Sequence, residues 1–95
     1  MFEWDEGKSQ WNLRERGLGF DTASEIFKGP VLEFEDRRRD YGERRIIAVG
    51  EHKGRFLAVV YTWRGERRRI ISARRANRRE CNAYRTEIAR GSGEA

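Results

Sequence analysis

Between residues 44 and 75 the chain reads as apolar and aromatic runs cut by two glycine turns, and this stretch constrains the fold more than any other. Ile46, Ile47, Ala48 and Val49 sit in a first run from Arg44 to Gly50. Lys53-Gly54 joins it to a second run, Arg55 to Trp63, and Gly65 turns the chain into a third, Arg67 to Ala73, centred on Ile70 and Ile71. Runs of this composition, bounded by glycine, pair as hairpins. Val31, Leu32 and Phe34 add an earlier strand ending near Glu35, ahead of a polar, turn-like stretch over 37–42. Four strands so joined predict an antiparallel meander.

Helical signals flank the meander. Asp5 is a good N-cap for a helix over Glu6 to Arg16, which Gly17 ends. Trp11 and Leu13 are its expected apolar contacts, with Lys8, Asn12, Glu15 and Arg16 at polar positions. Asp21 is read as the cap of a short second helix through Phe27, with Ala23, Ile26 and Phe27 facing the core and Gly29-Pro30 ending it. Asn77 and Glu80 have capping-box spacing, and Cys81, Tyr84 and Ile88 follow at helical intervals toward Arg90. The expectation is an α+β domain over residues 1–90: two N-terminal helices, a four-stranded antiparallel sheet and a C-terminal helix, with 91–95 a disordered tail.

A chain of 95 residues with 12% aromatic residues has room for one core and no second domain. Cys81, the lone cysteine, excludes an internal disulfide, and no Cys/His cluster suits zinc, so neither metal nor cofactor is expected. His52 is the single histidine and falls at a turn, which excludes catalysis by a histidine pair or a His-based triad. Met1 to Gly7 is acidic and aromatic where a signal peptide is basic and then apolar, and apolar runs stop at about six residues. A cytosolic protein without a membrane span is expected.

Charge is unevenly placed. Residues 1–42 carry net −3 and residues 43–95 net +8, and 18 of the 21 basic residues are Arg. Ten Arg against three Glu fall between Arg64 and Arg90. Forked guanidinium groups suit bidentate phosphate recognition, so a face of this density reads as a nucleic-acid footprint or a docking site for an acidic partner.

The chain resembles the BrnT family of ribonuclease toxins from bacterial toxin-antitoxin pairs, within the wider RelE-like fold. The resemblance rests on Phe2-Glu3-Trp4-Asp5 with Lys8 and Asn12, Gly17 and Phe20, Glu43-Arg44, and Val59-Val60-Tyr61-Thr62 with Arg64. Its strongest piece is Arg69-Ile70-Ile71-Ser72-Ala73-Arg74-Arg75-Ala76, continued by Arg79, Glu80 and Tyr84. It implies RNA cleavage that blocks translation, a BrnA-type antitoxin encoded alongside, and repression of the shared operon by the complex, with operator DNA bound through the antitoxin. Many relatives carry His where this chain has Arg16; Arg releases no proton near neutral pH, so Arg16 is given an electrostatic role at most.

Metal-free RNA cleavage needs a base for the 2′-hydroxyl, an acid for the leaving 5′-oxygen and cations around the phosphorane. Arg64 and Arg74 are expected to be the phosphate clamps. Glu43 and Lys8 are the candidates for the base and Tyr84 for the proton donor, each with a structural alternative: an ion pair for Glu43, a ring packed on the sheet for Tyr84. Arg44, Arg69, Arg75, Arg78 and Arg79 complete the expected RNA-binding set. On a regular strand Ser72 and Arg74 share a face and Arg69 takes the other. Arg37 and Arg38 are expected to matter little. The antitoxin is expected to cover the face formed by the last strand and the start of the last helix, with Trp63 as an apolar anchor. The competing readings are a nucleic-acid-binding or regulatory module without turnover, and a pure antitoxin-docking domain.

Overall fold

The computed structural model describes residues 1–93, and the side chains of 1–90. The elements are strand β1 (Phe2–Trp4), helix α1 (Glu6–Arg16), helix α2 (Phe20–Ala23) running into a 3-10 turn (Ser24–Lys28), strands β2 (Leu32–Glu35), β3 (Ile46–His52), β4 (Arg55–Arg64) and β5 (Arg67–Arg75), and helix α3 (Arg78–Gly93). The expected tail over 91–95 lies partly along the end of α3 and otherwise outside the described residues. The α+β class and the meander hold, since β2, β3, β4 and β5 are successive antiparallel neighbours. The sheet nevertheless has five strands in the order β1-β5-β4-β3-β2, and β1 lies parallel to β5. This corrects the four-stranded, all-antiparallel expectation.

The turns behave as their glycines require. Lys53 (φ 50°) and Gly54 (φ 80°) both take positive φ, the geometry of a type I′ hairpin turn. Gly65 (φ 61°) does the same service between β4 and β5. One irregularity re-aims side chains. Val60 opposes Ser72, but Tyr61 opposes Ile70, so Ile71 is an extra residue in β5. The bulge corrects the alternation expected of a regular strand: Arg69, opposite Thr62, shares a face with Ser72 and Arg74, which oppose Val60 and Ala58.

Two cores lie on the two faces of the sheet. On one, Leu18, Phe20, Ala23 and Ile26 from the N-terminal helical segment pack against Ala48, Leu57, Val59, Tyr61 and Ile70. On the other, Tyr84 and Ile88 of α3 pack against Ile47, Val49, Ala58 and Val60. Fully burying an aliphatic or aromatic side chain of this kind contributes about 1.5–3 kcal/mol, so both layers are needed by a small domain. Gly50 is one point of close approach, since a Cβ there would stand 2.8 Å from Ile26 Cβ.

The helix termini form as their residues dictate, with two corrections. Asp5 accepts from the Lys8 N–H at 3.1 Å, and Gly17 (φ 69°) closes α1 by donating to the Leu13 carbonyl. The capping box at α3 closes reciprocally: Glu80 N–H donates to Asn77 Oδ1 at 2.8 Å and Asn77 N–H to Glu80 Oε1 at 2.9 Å. The second helix starts earlier than expected, capped at Gly19 rather than Asp21, because the Phe20 N–H is taken by Ser9 Oγ at 2.9 Å. The inward face of α1 also differs. Ser9 and Asn12 are buried while Trp11 and Leu13 are about half exposed. Asn12 Nδ2 donates to the carbonyls of Leu18 (2.6 Å) and Ala73 (2.9 Å), fastening α1 to β5 by hydrogen bonds in place of apolar contact.

Candidate functional site

A cleft of about 440 Å³ lies on the α3 face of the sheet, between the start of α3, the end of β5 and the segment after β2. Phe34 and Ile47 form part of its apolar floor, and Arg37, Arg38, Arg74 and Arg79 bring four guanidinium groups to its lining. Carboxylates answer them. Arg74 Nη1 and Nη2 donate to Glu80 Oε1 and Oε2 at 2.8 and 2.9 Å, a forked pair. Glu80 serves two purposes at once, since the same carboxylate closes the α3 capping box.

A second pair stands beside the first. Asp36 is buried and accepts from Arg38 Nε and Nη2, both at 2.8 Å, from the Arg38 N–H at 3.2 Å and from Tyr41 Oη at 3.1 Å. These contacts turn a polar stretch into a fixed loop that holds Arg38 at the cleft. The hydrogen bonds from Arg38 keep the Asp36 carboxyl well below the usual carboxylate range, against the opposing effect of burial. Glu80 is likewise lowered, chiefly by Arg74, again opposed by burial. Arg74 is raised in return by Glu80. Both carboxylates are therefore anions at neutral pH, and among the described residues Arg74 and Arg38 are each matched by one of them while Arg79 has no ion pair.

The expected site residues divide between this cleft and other places. Arg74 and Arg79 line it, and Arg78 is exposed beside Arg79 in the first turn of α3. Arg64 does not join Arg74. Arg64 opposes Arg67 at the hairpin end, whereas Arg74 opposes Ala58, six positions back along β4 or roughly 20 Å at strand rise. Arg69 pairs with Glu3 at 2.8 Å, and Arg75 lies opposite Leu57, on the other face from Arg74. Arg44 is largely exposed, 3.5 Å from Glu35.

The expected acid and base groups fall outside the cleft lining. Glu43 pairs with Arg45 at 3.2 Å, and Lys8 is exposed in the first turn of α1. Tyr84 is buried against Phe56, its hydroxyl donating to the Pro30 carbonyl at 3.0 Å, and burial pushes its pKa up. Arg16 donates to the Ala73 carbonyl at 3.3 Å and lies over Trp11. Arg37 and Arg38, expected to matter little, line the cleft together with Asp36 and Glu80. The one signal in the sequence is the acidic pair Glu35-Asp36 followed by the basic pair Arg37-Arg38, which also describes an ordinary solvated turn.

Among the described residues no group of three or more His, Cys, Asp or Glu side chains is arranged to hold a metal ion. No helix among them is long and apolar enough to cross a membrane. A sequence model of a family described as ribonuclease toxin, BrnT, of type II toxin-antitoxin system matches residues 4–80, well over half of the chain. No curated protein matches the chain.

Proposed function

The chain belongs to the BrnT family of ribonuclease toxins of type II toxin-antitoxin systems, and from that premise we propose that it is an endoribonuclease whose reaction centre is the Arg74–Glu80 cleft. The observation that carries this reading is the forked Arg74–Glu80 pair standing beside the Asp36–Arg38 pair in one cleft. Guanidinium groups aimed at a phosphate stabilise the charge that develops in its transition state, and the positive end of α3 adds to them.

The chemistry follows from competition for Arg74. A phosphodiester entering the cleft offers Arg74 the same forked geometry as Glu80 and draws it away. Glu80 then loses the contact that holds its pKa down, becomes a stronger base and takes the proton of the 2′-hydroxyl. The 2′-oxygen bonds to phosphorus as the P–O5′ bond breaks, and the 5′-oxygen takes up a proton from solvent water. The products are a 2′,3′-cyclic phosphate and a 5′-hydroxyl. No metal enters these steps. In the cell such cleavage stops translation, and a BrnA-type antitoxin holds the toxin silent by covering the cleft, its own DNA-binding part carrying the complex to the operator.

The test is to cut a defined RNA with antitoxin-free protein in EDTA and read the ends. Cyclic or hydrolysed 3′-phosphate with 5′-hydroxyl is the expected result. Activity restored only by a divalent ion, or 5′-phosphate ends, overturns the mechanism. RNA bound but never cut makes the protein a binding module instead.

A further inference from the structure

The end of the β4–β5 hairpin carries cations and an aromatic surface that the cleft does not use. Trp63 keeps 46% of its surface exposed. Its indole is nevertheless held in place: the Arg68 guanidinium lies 4.8 Å from the ring centroid, and the Tyr61 ring meets it edge-on at 5.7 Å. Arg68 is fixed in turn, since its backbone N–H donates to the Met1 carbonyl at 2.9 Å and its guanidinium also covers Phe27 at 4.5 Å. Its Nε is buried without an acceptor. An exposed ring already locked in one orientation offers a flat apolar face at little further cost in rotamer entropy.

Cations surround that ring. Arg64 and Arg67 stand directly opposite each other, an arrangement of like charges that destabilises a hairpin. Neither has an ion-pair partner among the described residues, although Glu66 sits in the turn between them. Just ahead of β3, Arg44 lies beside Thr62, because Ile46 opposes Tyr61 and Thr62 Oγ1 donates to the Arg44 carbonyl at 2.7 Å. The Arg44 side chain is 74% exposed. Strand alternation puts Trp63 and Arg68 on the face that holds Tyr61, with Arg64 and Arg67 at the rim of the other, and Arg44 reaches Glu35, which shares Tyr61's face through Ile46.

A ligand that satisfies both features is a polyanion bearing a flat apolar group at each charge, which is single-stranded nucleic acid. A duplex hides its base faces, whereas an unpaired strand presents a base and a phosphate together to the locked indole and the arginines around it. We propose that this hairpin end is a stacking subsite for single-stranded RNA, in which one unpaired base lies on Trp63 and flanking phosphates lie on Arg44, Arg64 and Arg67. The subsite rests on the reading of RNA as substrate and adds to it a selection for unpaired strands, made away from the cleft.

The test is binding of a short 2′-O-methyl oligoadenylate, which resists cleavage by its own 2′-oxygen, followed by fluorescence anisotropy. Trp63→Leu is expected to weaken binding roughly tenfold and Trp63→Phe to keep most of it. Arg64→Ala and Arg67→Ala should each flatten the slope of log affinity against log salt by about 0.7, and a duplex should compete poorly. Equal affinity of wild type and Trp63→Leu, in a protein that still cuts unmodified RNA, overturns the subsite and leaves the endoribonuclease standing. Trp63-dependent binding by a protein that cuts nothing supports the subsite and removes the endoribonuclease. Loss of polyglutamate binding alone in Trp63→Leu makes the hairpin end a protein-docking surface and overturns the proposal. Should Trp63→Leu not fold, the salt slopes of the two exposed arginine variants decide, unchanged slopes counting against the subsite.

Discussion

The two basic regions differ in how their charge is balanced. In the cleft, Arg74 has Glu80, Arg38 has Asp36 and Arg37 has Glu35, each within 3.3 Å, and of the lining arginines Arg79 is left without an ion pair among the described residues. At the hairpin end, Arg64 and Arg67 face one another across the ladder with no ion pair among the described residues, and Arg44 alone has a carboxylate, Glu35 at 3.5 Å. A paired guanidinium binds a phosphate only by exchanging partners, and that exchange is what changes the basicity of a neighbouring carboxylate. Unpaired cations need no exchange, so they attract and hold but change nothing in the ligand. The cleft is therefore suited to chemistry and the hairpin end to capture.

The largest expected effect separates the two regions directly. Removing one preorganised charge-stabilising donor typically costs about 10²–10³ in rate, so Arg74→Ala should lose cleavage on that scale while Arg64→Ala loses roughly tenfold or less. Glu80→Gln should match Arg74→Ala in lost cleavage, yet stay folded, because Gln closes a capping box as Glu does. Single-turnover cleavage of one RNA, with circular dichroism as the fold control, checks all three. Similar losses in Arg64→Ala and Arg74→Ala would erase the division of labour.

A smaller effect lies in acid. Asp36 and Glu80 have folded pKa values below their unfolded ones, so each contributes stability that is complete above the ordinary carboxylate value of about 4 and is lost as pH falls through the folded value. Melting temperature should therefore drop below about pH 4. Asp36→Asn should lower it at neutral pH and flatten the acid limb, whereas Arg64→Ala should leave the limb unchanged. An acid limb of equal slope in Asp36→Asn would show that the buried carboxylate is not what the loop depends on.

What could be read from the sequence follows the range of the interactions involved. The limits of α1, the I′ turn at Lys53-Gly54 and the Asn77–Glu80 capping box were legible because each is decided within a few residues. Strand β1 was not: Phe2, Glu3 and Trp4 alternate, but three residues make a strand only beside Arg68, Arg69 and Ile70. Nor does a sequence announce that Asn12 is buried, since two carbonyls from distant segments supply its partners. The site divides in the same way. The density of Arg marked the surface, and Arg74, Arg79, Arg44 and Arg64 were named from it. Which of them stand together depends on strand register and on the Ile71 bulge. The role of Asp36 and Arg38 depends on a loop whose fixing contacts with Tyr41 look, in sequence, like any polar turn.

Cleavage in this cleft requires that the scissile phosphate displace Glu80 from Arg74. A structure of the protein with an RNA carrying a single 2′-deoxy substitution at the cleavage site tests it most directly. The expected complex has a phosphate oxygen at hydrogen-bond distance from the Arg74 guanidinium, the Glu80 carboxylate turned toward the sugar 2′ position, and an upstream or downstream base on Trp63. A bound RNA whose uncut phosphate lies elsewhere, with the Arg74–Glu80 pair intact, would contradict it.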